Sequence, residues 1–242
     1  MAQLMEGQVV IVTGGTRGIG LAIAKAVLAE GARVLITGRS QSSVDEGLAK
    51  LADTNAHGIP ADVASESDTL AVFEKAMAMF GKVDAVVNNA GIARAGAIDN
   101  LRLKDFQMVM DTNLTGAFLY SREAFRVMKN NGGGRILNIG SISSQVPRFG
   151  SVPYTTSKFG LQGMTRALAV EGRELGIMVS CLHPGNVYTD IWDNAPASVI
   201  DEPKMDVADI ARVAVLMLCM PANATIIDAT VLDHRQPFLG RG

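Results

Sequence analysis

Val9-Val10-Ile11-Val12-Thr13-Gly14-Gly15-Thr16-Arg17-Gly18-Ile19-Gly20 is the stretch that decides the fold. Five β-branched residues, which favour a pleated, buried strand, run straight into a glycine-rich turn. A helical pattern follows through Glu30, closed by Gly31, and a second apolar run spans Arg33 to Thr37. This is a βαβ unit. Glycines at 14, 18 and 20 let the backbone approach a pyrophosphate, and the helix start offers unpaired N–H groups and a positive dipole end. Glycines also make ordinary tight turns, but the strand before and the helix after supply the context a dinucleotide cradle requires. The spacing Gly-x-x-x-Gly-x-Gly is one residue longer than the commonest dinucleotide fingerprint.

The alternation continues to the end of the chain. Strands are expected at His57–Ala61, Ala85–Asn88, Arg135–Ile139, Met178–Leu182 and Ile226–Leu232. Between them lie helical segments from Ser65 to Phe80, one or two across Leu103 to Asn130, one from Tyr154 to Leu175 and one from Val207 to Met220. Ser65 reads as an N-cap and Gly81 as a helix stop. The fold class that follows is α/β: a doubly wound parallel sheet, Rossmann-like, of about seven strands with helices on both faces. Residues 1–242 read as one dinucleotide-binding domain, without repeat or low-complexity segment.

Composition narrows the function classes. A net charge of −2 gives no electrostatic case for nucleic acid or for an anionic membrane. No apolar run approaches the roughly 18 residues of a membrane span, and Met1 to Gln8 lacks the pattern of a signal peptide. Cys181 and Cys219 stand in apolar surroundings without metal-ligand spacing and read as buried, reduced thiols, so a soluble cytoplasmic protein is expected. No His/Cys/carboxylate cluster in the sequence suggests a metal. Hydrophobic residues at 48% hint at apolar surface buried between subunits.

The chemistry concentrates in Ser141 to Lys158, Ser-Ile-Ser-Ser-Gln-Val-Pro-Arg-Phe-Gly-Ser-Val-Pro-Tyr-Thr-Thr-Ser-Lys. Tyr154 and Lys158 are four apart and share one helix face, and Ser141 follows the fifth strand. An ammonium one turn from a phenol stabilises the phenolate by charge attraction. Ser141 would hold the oxygen of a carbonyl or alcohol while Tyr154 gives or takes the proton. A Tyr-x-x-x-Lys pair by itself is commonly an ordinary amphipathic contact, so the weight rests on the surrounding pattern. Cofactor choice is legible at the end of the second strand. There an acid usually meets the ribose 2′-hydroxyl of NAD, and here stand Gly38 and Arg39, with Arg17 inside the glycine loop. Asp45 and Glu46 come too late, inside the next helix. Two guanidiniums without a carboxylate suit a 2′-phosphate, and the expected cofactor is NADP(H).

Together these motifs resemble the short-chain dehydrogenase/reductase family, of the single-domain kind similar to 3-oxoacyl reductases, from about Gln8 to Leu232. The residues carrying the resemblance are Thr13-Gly14-x-x-x-Gly18-Ile19-Gly20, Asp62-Val63, Asn88-Asn89-Ala90-Gly91, Asn113, Ser141, Tyr154-x-x-x-Lys158 and Pro184-Gly185. The resemblance implies that Gly14, Thr16, Arg17, Gly18, Ile19 and Gly20 cradle the dinucleotide and that Asp62 and Val63 flank its adenine. It implies that Asn89, Ala90 and Gly91 close the fourth strand against it. Lys158 would also bind the nicotinamide ribose, and Pro184 to Thr189 would cover the nicotinamide, through the Val187 backbone and the Thr189 hydroxyl. Asn113 would hold a backbone bend and complete a proton relay with Ser141, Tyr154 and Lys158. Each has a plainer alternative: Asp62 as a turn residue, Asn113 as a polar group at a helix bend, Thr189 as a helix cap. His183 precedes Pro184-Gly185, where many residues would serve, and is set aside as a catalytic base.

The expected reaction is interconversion of a ketone and a secondary alcohol on a small-molecule substrate. The alternatives are a 3-oxoacyl-thioester reductase and, in a different class, a non-catalytic NADP(H)-binding sensor or scaffold. Such a sensor typically loses the tyrosine or lysine, and both are present. The pocket is expected from Ala93 to Ala97, Ser143 to Phe149 and an apolar lid around residues 188–206 with Ile191, Trp192, Val199 and Ile200. Arg126, Lys129 and Arg173 are compatible with docking an acidic acyl carrier and with any solvated helix face. The ending Val231-Leu232-Asp233-His234-Arg235-Gln236-Pro237 departs from the Asp-Gly-Gly type usual in those reductases. A homotetramer is implied by the resemblance.

Overall fold

A computed structural model of the chain describes residues 3–189 and 202–238. Continuous apolar runs become central strands because a parallel sheet is covered on both faces and tolerates few polar side chains. Strands β1 (Val9–Val12), β2 (Arg33–Gly38), β3 (Ala56–Pro60), β4 (Ala85–Asn88), β5 (Gly134–Ile139), β6 (Ile177–Pro184) and β7 (Asp228–Val231) form one sheet in the order β3-β2-β1-β4-β5-β6-β7. Every pairing is parallel. Helices α1 (Gly18–Ala29), α2 (Gln41–Leu51), α3 (Glu66–Phe80), α4 (Leu103–Met110), α5 (Gly116–Met128), α6 (Val152–Gly172) and α7 (Val207–Leu218) cover its two faces.

Alternation along β1 shows how the layers are built. Val10 and Val12 point into one core with Ile23, Val27, Ile210 and Leu218 of α1 and α7. Ile11 points the other way, into a core with Val72, Phe73, Tyr120 and Met128 of α3 and α5. Helix ends follow the local chemistry. Ser65 Oγ accepts from the Asp68 N–H at 3.2 Å and opens α3, and Gly81, at φ +75°, ends it. Ser40 and Ser43 make a reciprocal cap at the start of α2.

The expected elements are present, with shifted limits. The sixth strand runs on through Pro184, and the last is confined to Asp228–Val231. The helix carrying Tyr154 begins at Val152, with Pro153 in its first turn where a missing N–H costs nothing, and residues 173–175 tighten into a 3₁₀ turn. Between α4 and α5 the chain stays helical through one π turn, Asp111–Thr115. Cys181 is buried as expected, but Cys219 is only half-buried. The proposed lid residues Ile191, Trp192, Val199 and Ile200 lie outside the described residues.

Strand order reverses between β1 and β4, from which the chain winds outward in opposite directions. Ligands of doubly wound sheets bind in the crevice at that point, beyond the carboxyl ends of the strands. The glycine turn after β1 and the Asn88–Gly91 segment after β4 meet there.

Candidate active site

The two sides of the crevice are stitched together by side chain to main chain bonds. Asn89 Nδ2 donates to the carbonyls of Thr13 at 2.9 Å and Gly14 at 3.1 Å. Thr13 Oγ1 accepts from the N–H groups of Asn89 and Ala90 at 3.0 and 3.1 Å. Gly14 sits at φ +62°, a conformation that other residues adopt only with strain. A Cβ on Gly20 would strike Asn89 Nδ2 and the Gly14 carbonyl. The glycines thus let α1 begin directly against the crevice, with its N-terminus open towards it. Arg17 is the exposed N-cap of α1, and Thr189 stands across the turn, its Cγ2 3.4 Å from where a Cβ on Gly18 would lie.

Other members of the expected cofactor set are spread along the same carboxyl edge. Val63 is buried in the core, against Gly116. Asp62 is exposed, and its Oδ1 accepts from the Ala64 N–H at 3.0 Å, closing its own turn. The plainer reading of Asp62 is therefore realised in its side chain. Pro184 closes β6, Gly185 bonds to the Val231 carbonyl at 2.7 Å, and buried Val187 bridges to Met205. Gly38 is the last residue of β2 and buried, while Arg39 beyond it is exposed.

Ser141, Tyr154 and Lys158 gather at the ends of β5 and α6. Ser141 caps the short 3₁₀ turn Ile142–Ser144, and its Oγ accepts from the Ser143 N–H at 3.1 Å. Tyr154 is half-buried in the first turn of α6. Lys158, one turn on, is only 4% exposed. Its ammonium donates to the Ile139 carbonyl at 2.7 Å and stands over the Tyr154 ring, 5.5 Å from the centroid. Asn113 lies in the π turn and is 2% exposed. Its Oδ1 accepts from the Ile92 N–H at 2.8 Å, while Nδ2 donates to the Ile92 carbonyl at 2.9 Å and to Ser157 Oγ at 3.1 Å. Single π turns inside helices recur at functional sites, and here the Asn113 side chain ties the loop after β4 to α6.

Residues 8–199 match the family described as short chain dehydrogenase. The chain belongs to that family. It is 36% identical over 220 residues to a 3α-hydroxysteroid dehydrogenase of Mediterraneibacter gnavus, covering 88% of this chain and 86% of that one. It is 37% identical over 190 residues to a 3-oxoacyl-(acyl-carrier-protein) reductase of Aquifex aeolicus, covering 77% of each. A solved 3-ketoacyl-(acyl-carrier-protein) reductase from Brucella melitensis, complexed with NADH, superposes with a TM-score of 0.89 at 28% identity. The match covers 96% of this chain and 99% of that one. The short chain dehydrogenase described here is thus an oxidoreductase acting on CH–OH groups, built around a nicotinamide dinucleotide site.

Two polar groupings of this dehydrogenase escaped the sequence. His183 on β6 is fully buried, with Nε2 3.2 Å from Asp228 Oδ1 on β7 and Nδ1 2.8 Å from Ser144 Oγ. The β6–β7 register sets Cys181 opposite Asp228, so sulfur, imidazole and carboxylate atoms lie within 4.8 Å of one another. No spacing along the chain signals this His/Cys/carboxylate cluster, because strand pairing assembles it. Both imidazole nitrogens are already engaged there, and burial pushes the Cys181 thiol up to about 12, against the thiolate a metal ligand must be. The second grouping joins the loop after β5 to the segment after β6. Arg148 Nη2 donates to Asn186 Oδ1 at 3.0 Å and Glu202 Oε2 at 2.8 Å, and Asn186 Nδ2 donates to the same Glu202 oxygen at 2.7 Å. Of the expected pocket residues, Phe149 is 96% exposed and lines no interior. No helix among the described residues is long and apolar enough to cross a membrane.

Proposed function

We propose that this chain interconverts a ketone and a secondary alcohol with NADP(H), Tyr154 serving as general acid and base. The observation carrying the reading is one constellation: Ser141, Tyr154 and a buried, immobilised Lys158 at the carboxyl edge of the sheet that also forms the glycine crevice. A buried ammonium must be hydrogen-bonded to persist, and the Ile139 carbonyl fixes Lys158 beside the phenol. An intact serine, tyrosine and lysine favour turnover over a non-catalytic sensor.

The dinucleotide, when bound, supplies or accepts the hydride. Gly14 to Gly20 would hold its phosphates, with Asn89, Ala90, Gly91, Val187 and Thr189 enclosing its remainder and Val63 backing the adenine end. Ser141 Oγ holds the substrate oxygen, and the Tyr154 hydroxyl passes its proton to that oxygen in reduction and recovers it in oxidation. Lys158 offsets the negative charge that develops on the phenol oxygen as the proton leaves. Asn113 keeps the loop at Ile92 and helix α6 in fixed relation, so the groups arrive pre-positioned.

Preference for NADP(H) is supported at the end of β2. A Cβ on Gly38 would begin 2.6 Å from Thr16 Cγ2 and 2.8 Å from Ser43 Oγ. Ser43 is held by its reciprocal cap with Ser40, so a side chain at position 38 would be crowded, and no carboxylate stands there for the 2′-hydroxyl of NAD. Arg39 beyond it presents a planar fork suited to a 2′-phosphate. Tyr188 presents an exposed ring on the segment that Asn186 ties to Arg148, which favours an apolar ketone. The relatives named for hydroxysteroids and 3-oxoacyl thioesters support the same class. We further infer one cytoplasmic oxidoreductase domain with a lid around residues 188–206. It would assemble as a homotetramer in which α5 and α6, exposing Phe118, Phe159 and Val170, pack across two-fold axes.

NADPH and NADH oxidation against a 3-oxoacyl thioester, a 3-oxo ester, an aryl ketone, a cyclic ketone and a 3-oxosteroid tests the reading. Turnover of at least one member with NADPH preferred is expected. Tight NADPH binding with silence on every member would favour the sensor.

A further inference from the structure

We propose that Ser144 and His183 are positioning residues that hold Ser141 in register with Tyr154 and Lys158, through a closed ring of hydrogen bonds behind the active site. The proposal rests on the role given above to Ser141. The ring starts at the Ser141 carbonyl, which accepts from the Ser144 N–H at 3.0 Å and from Ser144 Oγ at 2.5 Å. Ser144 Oγ also meets His183 Nδ1 at 2.8 Å, and the same Nδ1 lies 3.2 Å from the Ser141 carbonyl. His183 Nε2 meets Asp228 Oδ1, and the other Asp228 oxygen accepts from Arg166 Nη2 of α6 at 3.4 Å. In the amide orientation that satisfies both of its ends, Gln162 of α6 accepts from Arg166 at 3.2 Å and donates to the Ser144 carbonyl at 3.1 Å. The path runs from the serine turn through β6 and β7 and returns along α6, the helix that carries Tyr154 and Lys158.

Proton counting fixes the direction of the key link. Ser144 has one hydroxyl proton, and its shorter contact is to the Ser141 carbonyl, which can only accept. His183 Nδ1 then donates to Ser144 Oγ and shares that proton with the Ser141 carbonyl, and the contact of Nε2 with Asp228 Oδ1 at 3.2 Å holds a second proton, carried by one of those two atoms. Gly140 makes this approach possible, since a Cβ there would come within 2.5 Å of His183 Nδ1 and 2.8 Å of Cys181 Sγ. With Ser144 and His183 buried, water does not substitute for a lost link. The Ser141 turn would swing on its 3₁₀ geometry and carry Oγ away from Tyr154.

The first test needs no substrate. The chain has three histidines, so ¹⁵N spectra of the imidazoles at neutral pH are assignable by comparison with His183→Asn. The expected spectrum has a protonated, slowly exchanging His183 Nδ1. A bare Nδ1 overturns the proposal whatever the enzyme acts on. The second test follows NADPH oxidation with ethyl acetoacetate in wild type, Ser144→Ala, His183→Leu and His183→Asn, each checked for folding by thermal melting. Ser144→Ala and His183→Leu should lower kcat about 10- to 100-fold, with NADPH Kd within about twofold. The isotope effect from 4-deuterated NADPH should rise because chemistry is slowed, an effect that mere loss of stability does not produce. His183→Asn keeps an N–H donor near Nδ1 and should recover most of the loss. Wild-type kcat in both donor-less variants, or His183→Asn as impaired as His183→Leu, refutes the positioning role. An inert wild type would count against the ketone reading, with the imidazole spectrum still deciding the ring.

Discussion

Replacing Asn113 by alanine removes three hydrogen bonds at once and leaves the Ile92 N–H and carbonyl without the partners they have at 2.8 and 2.9 Å. A lost intramolecular bond costs about 1 kcal/mol net, and a group left unsatisfied in the interior costs about 1–3 kcal/mol. Ile92 is half-buried, so water recovers part of this, and the variant should lose about 3 kcal/mol of unfolding free energy. Urea unfolding reads the loss as a lower midpoint at unchanged slope. Asn113→Asp sharpens the test. It keeps the acceptor facing the Ile92 N–H but sets a second carboxylate oxygen against the Ile92 carbonyl. The folded state then favours the protonated carboxyl, which can donate, so the penalty is greatest at neutral pH and shrinks as pH falls towards about 4. A loss under about 1 kcal/mol for Asn113→Ala, or a pH-independent penalty for Asn113→Asp, would refute the view that this amide holds the π turn.

Further outcomes follow from other sites. Arg39→Asp should raise the NADPH Kd about 10- to 100-fold in fluorescence titration while leaving NADH within about threefold, since a charge-assisted bond is worth about 1.5–3 kcal/mol. Equal losses for both would sink the 2′-phosphate argument. Lys158→Met should lower kcat about 100-fold or more and weaken the dinucleotide, and a variant with normal turnover would remove the ammonium from the mechanism. Burial holds the Cys181 thiol at about 12, so thiol reagents at pH 8 should label Cys219 in the native protein and Cys181 only after unfolding. The unfolded thiol ionises near 9 and the folded one near 12, so this group's contribution to stability is intact below about 9 and is lost as pH rises above it. Rapid native labelling of Cys181 would contradict its burial.

How legible these features were depends on how far apart their parts lie in the chain. The run Val9–Gly20 announces strand, turn and helix because each step is dictated by neighbouring residues, and the remaining strands and helices follow by the same local logic. Tyr154 and Lys158 are one turn apart, so helix periodicity alone joins them. Ser144, His183 and Asp228 come together through the β6–β7 register, and Gln162 and Arg166 reach them from α6. No local pattern encodes that meeting, which is why His183 looked dispensable. A bend at Asn113 was expected from the family resemblance, and the structure gives its form as a π turn, Asp111–Thr115. Asp62 was expected beside the adenine from the family resemblance, and its carboxylate closes its own turn.

The claim that organises the site is proton transfer at the Tyr154 hydroxyl, and the most direct measurement is NADPH-dependent turnover of a reducible ketone by Tyr154→Phe beside wild type. Phenylalanine keeps the ring over which Lys158 stands and removes only the oxygen. Unchanged NADPH binding is expected, with turnover lowered by about 100-fold or more. Wild-type turnover in Tyr154→Phe would contradict it.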